Sequence, residues 1–351
     1  MSSPTIADLT TLHLGGPARA VVEAATTDEV VAALTDCDET DTAVLVVGGG
    51  SNLVVADEGF DGTVVRIGSG TVEFGVDADR PFVTADAGVQ WDSLVAQVVA
   101  SGFGGLECLS GIPGSTGATP VQNVGAYGVE IADALRGVQV YDRATRESAW
   151  VAPAALDLRY RHSNLKHRDD RIVTAVSLWL RPDGVSAPLA YRELARALDR
   201  DEGQSAAAAE VREAVLSLRR SKGMVLDADD PDTYSAGSFF TNPIVSAAES
   251  AAVVAQIAVV VGPDVAIPQF PAGDDTKLSA GWLIERAGFT KGYPGEDAPI
   301  RLSTKHTLAL TNRGSGTTAQ LLDLAREVRD GVRARFGVTL TPEPVFVNCR
   351  L

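Results

Sequence analysis

Cysteine is scarce in this chain of 351 residues, positive charge is in short supply, and no long apolar run occurs. Cys37, Cys108 and Cys349 are odd in number and form no CxxC pair, so neither a disulfide framework nor a zinc site is indicated. No apolar stretch approaches the roughly 20 residues of a membrane span, which excludes an integral membrane protein. The opening "MSSPTIADLTTLHLGG" has no basic flank and no apolar core of signal-peptide length, and a cytoplasmic location is expected. Lys and Arg total 30 against 46 Asp and Glu, a formal net charge of −16 that argues against a nucleic-acid surface. A small anionic ligand would need basic residues to converge locally, and Arg161, Arg219, Lys222, Lys277 and Lys305 are the candidates. His13, His162 and His167 lack metal-ligand spacing, and no metal is expected.

What is present points to a multidomain α+β protein. The length suits two or three domains with a cavity between them. "TTDEVVAALTDC" predicts a helix capped by Thr27 or Asp28, and "TAVLVV" a buried strand. Strand-like runs follow at "GTVVRIG", "FVTADAG", "GVQVYD", "ESAWVA" and "IVTAVSLWL", with a helix at "WDSLVAQVVASG" ended by Gly102. Helical patterns return from about residue 189: "YRELARALDR", "SAAAAEVREAVLSLRRSKG", "SAAESAAVVAQIAVVVG", "AGWLIERAG" and "TTAQLLDLAREVRDGVRARFG", before a last strand-like "PVFVN". A different domain is expected to begin near residue 220.

Two glycine-rich stretches stand out. In "VLVVGGGSNLVV", backbone N–H groups of Gly48, Gly49 and Gly50 can approach an anion without Cβ obstruction, as a diphosphate requires. This is not the usual dinucleotide fingerprint, because the third glycine position from Gly48 is Leu53 and the chain continues as strand. No GxxxxGK[ST] loop occurs either. The second stretch, "GLECLSGIPGSTGATPVQNVGAYGVEI", reads as the lining of an extended polar ligand, since long loops in compact domains are usually functional. Together the two could grip both ends of a dinucleotide such as FAD; a plain glycine turn is the other reading of the first. "SAGSFFTNP" carries Ser238 between Gly237 and the apolar pair Phe239 and Phe240, either at a pocket edge or as an ordinary turn serine.

In this order, "GGGSNLVV", "GIPGSTGATPVQNVGAYGVEI", "YRHS", "SAGSFFTNP", "AGWLIERAG" and "TPEPVFV" resemble the UDP-N-acetylenolpyruvoylglucosamine reductases, the MurB family. The likeness covers nearly the whole chain, and "TLHLGGPA" is similar to the family's first strand, with Thr10 where Asn is common. It implies an FAD-binding fold of the vanillyl-alcohol-oxidase (PCMH) type with non-covalent FAD. The implied organisation is one FAD subdomain over 1–67, to which the C-terminal strand returns, a second over 68–219, a substrate-binding α+β domain over 220–335, and a C-terminal segment 336–351. NADPH would reduce the flavin, and UDP-N-acetylglucosamine enolpyruvate would then take the hydride to give UDP-N-acetylmuramate. No obligate protein partner is implied. Tyr191, in "APLAYRELARAL", marks the type I branch.

The resemblance implies Arg161, Ser238 and Glu343 as the catalytic residues: a carboxylate-binding guanidinium, a proton donor and an acid near the developing enolate. FAD would lie along Gly48, Gly49, Gly50, Ser51, Asn52 and Leu53, then Gly111, Ile112, Pro113, Gly114, Gly117, Ala118, Gln122, Asn123, Gly125, Tyr127 and Gly128, with Arg219. Tyr160, Tyr191, Lys222, Asn242 and His306 would meet the UDP-sugar or nicotinamide. Thr241 stands where a basic residue is frequent, and Val345 where Arg is common. Two other functions compete. An FAD-linked oxidase acting on a sugar or alcohol explains the glycine loops but not the three catalytic positions together, and a non-enzymatic UDP-sugar sensor would have no use for them.

Overall fold

The computed structural model describes residues 5–68 and 70–351. Contacts divide the chain into two compact units: Ala18–Gly50 with Phe60–Leu226, and Thr5–Pro17 with Ser51–Gly59 and Asp227–Leu351. In this division the chain passes for the last time from the first unit to the second at 226/227.

The first unit holds two sheets. Parallel strands Ala18–Ala24, Phe60–Ile67 and Val44–Val47 lie side by side in that order, with Val64 and Val65 fully buried, as continuous apolar runs in parallel strands require. Val30 and Leu34 of helix Thr27–Glu39 are buried. Its cap is Thr26 rather than Thr27 or Asp28: Thr26 is extended, and its hydroxyl accepts from the Glu29 N–H at 3.2 Å. The second sheet is antiparallel, in the order Glu147–Val151, Leu135–Asp142, Arg171–Trp179, Arg80–Asp86, Val72–Asp77. Val72–Asp77 gives little sequence signal, because its two-residue turn uses Ala78 and Asp79 at φ 47° and 67° where glycine is the usual marker. Helix Trp91–Ala100 ends before Gly102 at φ +82°, as read from the sequence. Helix Ala208–Ser221 starts later than its alanine run suggests, since Ala206 exchanges hydrogen bonds with Ser186: its carbonyl accepts from the Ser186 N–H and its own N–H donates to Ser186 Oγ.

The second unit is built on helix Thr318–Phe336. A reciprocal Thr317–Gln320 capping box opens it, left-handed Gly337 closes it, and Leu321, Ala325, Val328, Val332 and Phe336 are fully buried. Helices Ala247–Val261 and Ala280–Arg286 and strands Ile244–Val245, Asp275–Leu278 and Gln269–Ala272 complete this part, with the hairpin of Ile300–Leu302 and Leu310–Asn312. Val345–Val347 pairs in parallel with Leu53–Val55. The expected strand in "TLHLGGPA" is absent: Thr10–Gly16 is irregular, because His13 and Gly15 adopt φ 52° and 125°. A Cβ on Gly16 would lie 2.0 Å from the Asp57 carbonyl oxygen, so only glycine permits that approach. Among the described residues, no helix is long and apolar enough to cross a membrane.

Candidate active site

In the first unit the two glycine loops touch each other. A Cβ on Gly48 would sit 2.0 Å from Ser115 Oγ, and one on Gly49 would sit 2.6 Å from the Gly114 Cα. These glycines are therefore needed for loop-against-loop packing, and the result is a wall of backbone largely free of side chains. The segment 87–91 anchors the second loop: Gly117 N–H donates to Ala87 O at 2.9 Å, Thr116 N–H to Val89 O at 2.8 Å, and Trp91 N–H to Gly114 O at 3.0 Å. Gly111, Gly114 and Gly128 adopt φ of 70°, 121° and 82°. Ile112, Pro113, Gln122 and Gly125 are half-buried, and Ala118 is exposed.

Asn123, by contrast, spends its amide inside the loop. Its Nδ2 donates to Glu130 Oε2 at 2.7 Å and to Arg159 O at 3.0 Å, while Oδ1 accepts from the Ala132 N–H. What Asn123 can offer a ligand is backbone. Arg219 differs again: Nη2 donates to Met224 O at 2.7 Å, but the buried Nε has no hydrogen-bond partner. A buried donor left unpaired costs about 1–3 kcal/mol, which an acceptor on a bound ligand would relieve; beside it, a Cβ on Gly111 would lie 3.4 Å from Nε but 2.9 Å from Leu216 Cδ2, so glycine is what lets the loop pass this close to the arginine.

Arg161 has φ +55°, a left-handed conformation uncommon for a side-chain-bearing residue. Its Nη2 donates to Gly125 O at 2.8 Å, and its guanidinium lies 5.0 Å from the Tyr160 ring centroid. The loop and the arginine thus meet within one unit. Tyr191 stands before helix Arg192–Ala197 and meets Tyr127 edge to face at 5.5 Å. Burial pushes the Tyr127 hydroxyl up to about 12 and raises that of Tyr191, so both stay neutral donors. Lys222 Nζ pairs with Glu193 Oε2 at 2.5 Å at the end of helix Ala208–Ser221.

Ser238 and Glu343 lie in the second unit. Phe239 and Phe240 are each 1% exposed and pack edge to face at 5.2 Å, which draws the segment inward and leaves Ser238 half-buried after left-handed Gly237. Phe239 N–H donates to Leu308 O at 2.7 Å, Phe239 O accepts from the Glu343 N–H at 2.9 Å, and Thr241 N–H donates to Thr341 O at 3.0 Å. Serine and glutamate are consequently carried on two bonded segments. Asn52 serves the same edge: its carbonyl accepts from the Val345 N–H at 2.9 Å and its Nδ2 reaches Glu343 O at 3.4 Å. Ser51 is half-buried, and Leu53 pairs with Val345. Asn242 Oδ1 accepts from the Ala280 N–H at 3.0 Å, at the start of helix Ala280–Arg286. His306 lies in the hairpin loop, where its N–H donates to Ser303 Oγ at 3.2 Å.

Sequence reasoning missed Asp232. This 4% exposed carboxylate accepts from Thr304 N–H, Thr304 Oγ1 and Arg313 Nη1, tying 230–234 to the hairpin loop. Burial works to raise its pKa, yet the bonds from Thr304 and the Arg313 charge hold it below the usual carboxylate value. The signal available was an acid beside the "SAGSFF" stretch, indistinguishable from its neighbours Asp227, Asp229 and Asp230 until burial is known.

A family model described as UDP-N-acetylenolpyruvoylglucosamine reductase, C-terminal domain, matches residues 229–347, and one described as FAD binding domain matches residues 18–146. The UDP-N-acetylenolpyruvoylglucosamine reductase of Nocardia farcinica is 60% identical over 346 residues, covering 99% of this chain and 89% of the relative. That of Saccharopolyspora erythraea is 58% identical over 356 residues, covering 100% and 97%. The crystal structure of the corresponding reductase from Thermus caldophilus aligns with a TM-score of 0.64 at 26% identity, over 98% of this chain and 97% of that one.

Proposed function

The chain belongs to the UDP-N-acetylenolpyruvoylglucosamine reductase family, and from that premise we propose how its residues divide the work. The protein is an oxidoreductase of peptidoglycan precursor synthesis that reduces UDP-N-acetylglucosamine enolpyruvate to UDP-N-acetylmuramate, with FAD as cofactor and NADPH as hydride source. Its architecture is the FAD-binding fold of the vanillyl-alcohol-oxidase type with a C-terminal α+β domain. Bound FAD supplies the hydride relay from NADPH to the β-carbon of the enol ether.

Hydride addition leaves negative charge on the α-carbon and carboxylate oxygens, and the chain must bind that charge and deliver one proton. In our reading, the Arg161 guanidinium takes the substrate carboxylate with two parallel N–H donors. The Glu343 carboxyl is placed at the developing enolate, where a protonated carboxyl would donate to its oxygen, and the Ser238 hydroxyl gives its proton to the α-carbon. The bond from the Glu343 N–H to Phe239 O carries this reading, because it couples the serine segment to the glutamate segment at one-residue offset. Asn242, His306, Lys222, Tyr160 and Tyr191 hold the UDP-sugar or the nicotinamide. The glycine stretches 48–53 and 111–128, with Arg219, hold FAD. We assign 1–67 and 68–219 as the FAD subdomains, 220–335 as the substrate domain and 336–351 as the segment bearing Glu343, all in the cytoplasm.

Single-turnover stopped-flow of the two half-reactions tests the assignment. Ser238→Ala should bind FAD and be reduced by NADPH at a near-native rate, while reoxidation by substrate falls about 10²-fold or more, the usual scale for a positioned general acid. Native-rate reoxidation would return Ser238 to an ordinary turn residue.

A further inference from the structure

One carboxylate organises the start of the second glycine loop. Asp92, in the first turn of helix Trp91–Ala100, accepts from the Gly111 N–H at 2.6 Å. Its two oxygens also take both terminal nitrogens of Arg212, at 2.6 and 2.9 Å, the paired geometry that gives a guanidinium–carboxylate contact its directionality. The Arg212 side chain is only 14% exposed and that of Asp92 32%, so the pair is partly withdrawn from screening solvent. Arg212 and Arg219 are seven residues apart in helix Ala208–Ser221, two turns along the same face. The loop must pass close to that face: at Gly111, with φ +70°, a Cβ would lie 2.9 Å from Leu216 Cδ2.

The helix face therefore presents Arg212 to Asp92 and the unpartnered Nε of Arg219 to the neighbourhood of Gly111. Burial lowers the Arg219 pKa to about 10, and the negative charge of Asp92 is one of the influences that work against that fall. Burial alone would raise the pKa of Asp92, but the bonds from Arg212 and Gly111 outweigh it, and the carboxylate stays charged. We propose that Asp92 is a positioning residue of the flavin site: through its bond to the Gly111 N–H it sets the loop, and through its paired contact with Arg212 its negative charge offsets the positive field of the Arg212–Arg219 face beside the cofactor. The proposal rests on the placement of FAD along 111–128 given above.

Two consequences have opposite electrical sign, which a purely structural role would not produce. Removing a negative charge stabilises an anionic reduced flavin, whereas removing a positive charge destabilises it. The test titrates apo-protein with FAD by fluorescence and measures the flavin midpoint potential of the reconstituted protein. Asp92→Asn should weaken FAD binding about tenfold and raise the potential, Arg212→Met should weaken binding and lower the potential, and Asp92→Glu should restore the native potential. Native affinity and potential in Asp92→Asn would overturn the proposal, as would shifts of the same sign in Asp92→Asn and Arg212→Met. Should apo Asp92→Asn lack native circular dichroism, Arg212→Met and Asp92→Glu decide alone, and an unmoved potential in Arg212→Met overturns the proposal. Arg219→Met checks the placement separately: native FAD affinity and potential there would remove FAD from this loop, whatever the Asp92 variants do.

Discussion

The Arg161 region and the Ser238 region hold their side chains by different physical means. Around Arg161, three side-chain-bearing residues, Asn123, Tyr127 and Arg161, sit at φ 46°, 50° and 55°. Left-handed backbone costs about 1–2 kcal/mol for an ordinary L-residue, less for Asn, and it persists only where neighbours over-determine it. Here side chains do so: the three amide bonds of Asn123, the Arg161 bond to Gly125 O and the Tyr127–Tyr191 contact. Within the described stretch 235–243 left-handed backbone falls on Gly237, and a ladder of backbone bonds with two buried phenylalanines fixes the segment. The first region should be fragile to changes of polar side chains, the second to changes of packing.

The largest expected effect is functional. Arg161→Lys keeps the charge but loses the planar fork, so reoxidation of reduced flavin by substrate should slow by orders of magnitude while reduction by NADPH changes little. Equal losses in both half-reactions, measured by stopped-flow, would make Arg161 a structural residue and dissolve the contrast. Next comes Phe240→Ala, which should cost about 3–5 kcal/mol in denaturant unfolding, the range for emptying a buried aromatic site. A cost near zero would mean that the ladder alone fixes Ser238. Asn123→Ala strands the Ala132 N–H, Glu130 and the Arg159 carbonyl and forces alanine into left-handed backbone, for about 2–3 kcal/mol. Asn123→Gly should lose less, because glycine accepts the backbone; an equal loss would show that strain plays no part there.

The smallest effect concerns acid. The folded-state pKa of Asp232 lies below its ordinary value of 3.8, so its contribution is fully present above that pH and is lost as pH falls through the folded value. Thermal unfolding followed from pH 6 to pH 3 should therefore show a falling midpoint whose slope is reduced in Asp232→Asn. At neutral pH that variant should be less stable by about 1–3 kcal/mol, since it weakens buried bonds to a charged group. An unchanged acid slope would exclude Asp232 as a contributor.

Much of this was legible locally. Helix Thr318–Phe336 announces itself through its capping box, apolar spacing and terminal glycine, and strand Arg171–Trp179 through a continuous apolar run. Val72–Asp77 was not, because an Ala-Asp turn carries no glycine signal. Asp92 was equally silent, since its partner Arg212 is 120 residues away. The family-specific stretches named Arg161, Ser238 and Glu343 as candidates, yet nothing in them says that Asn123 is consumed by its own loop while Arg219 keeps an unpaired buried nitrogen.

By itself, then, the sequence determined the elements whose signal is periodic or punctuated, the glycines that both loops require and the family to which the residues belong. Those properties reside in neighbouring positions, where side-chain size, β-branching and the freedom of φ act over a few bonds. Only the tertiary structure decided that Thr5–Pro17 and Ser51–Gly59 join Asp227–Leu351 in one compact unit, that Gly49 lies against Gly114, and that Glu343 is bonded to the backbone beside Ser238. Each depends on which distant surfaces are buried together, and burial, unlike propensity, is a property of pairs of segments that the order of residues does not display.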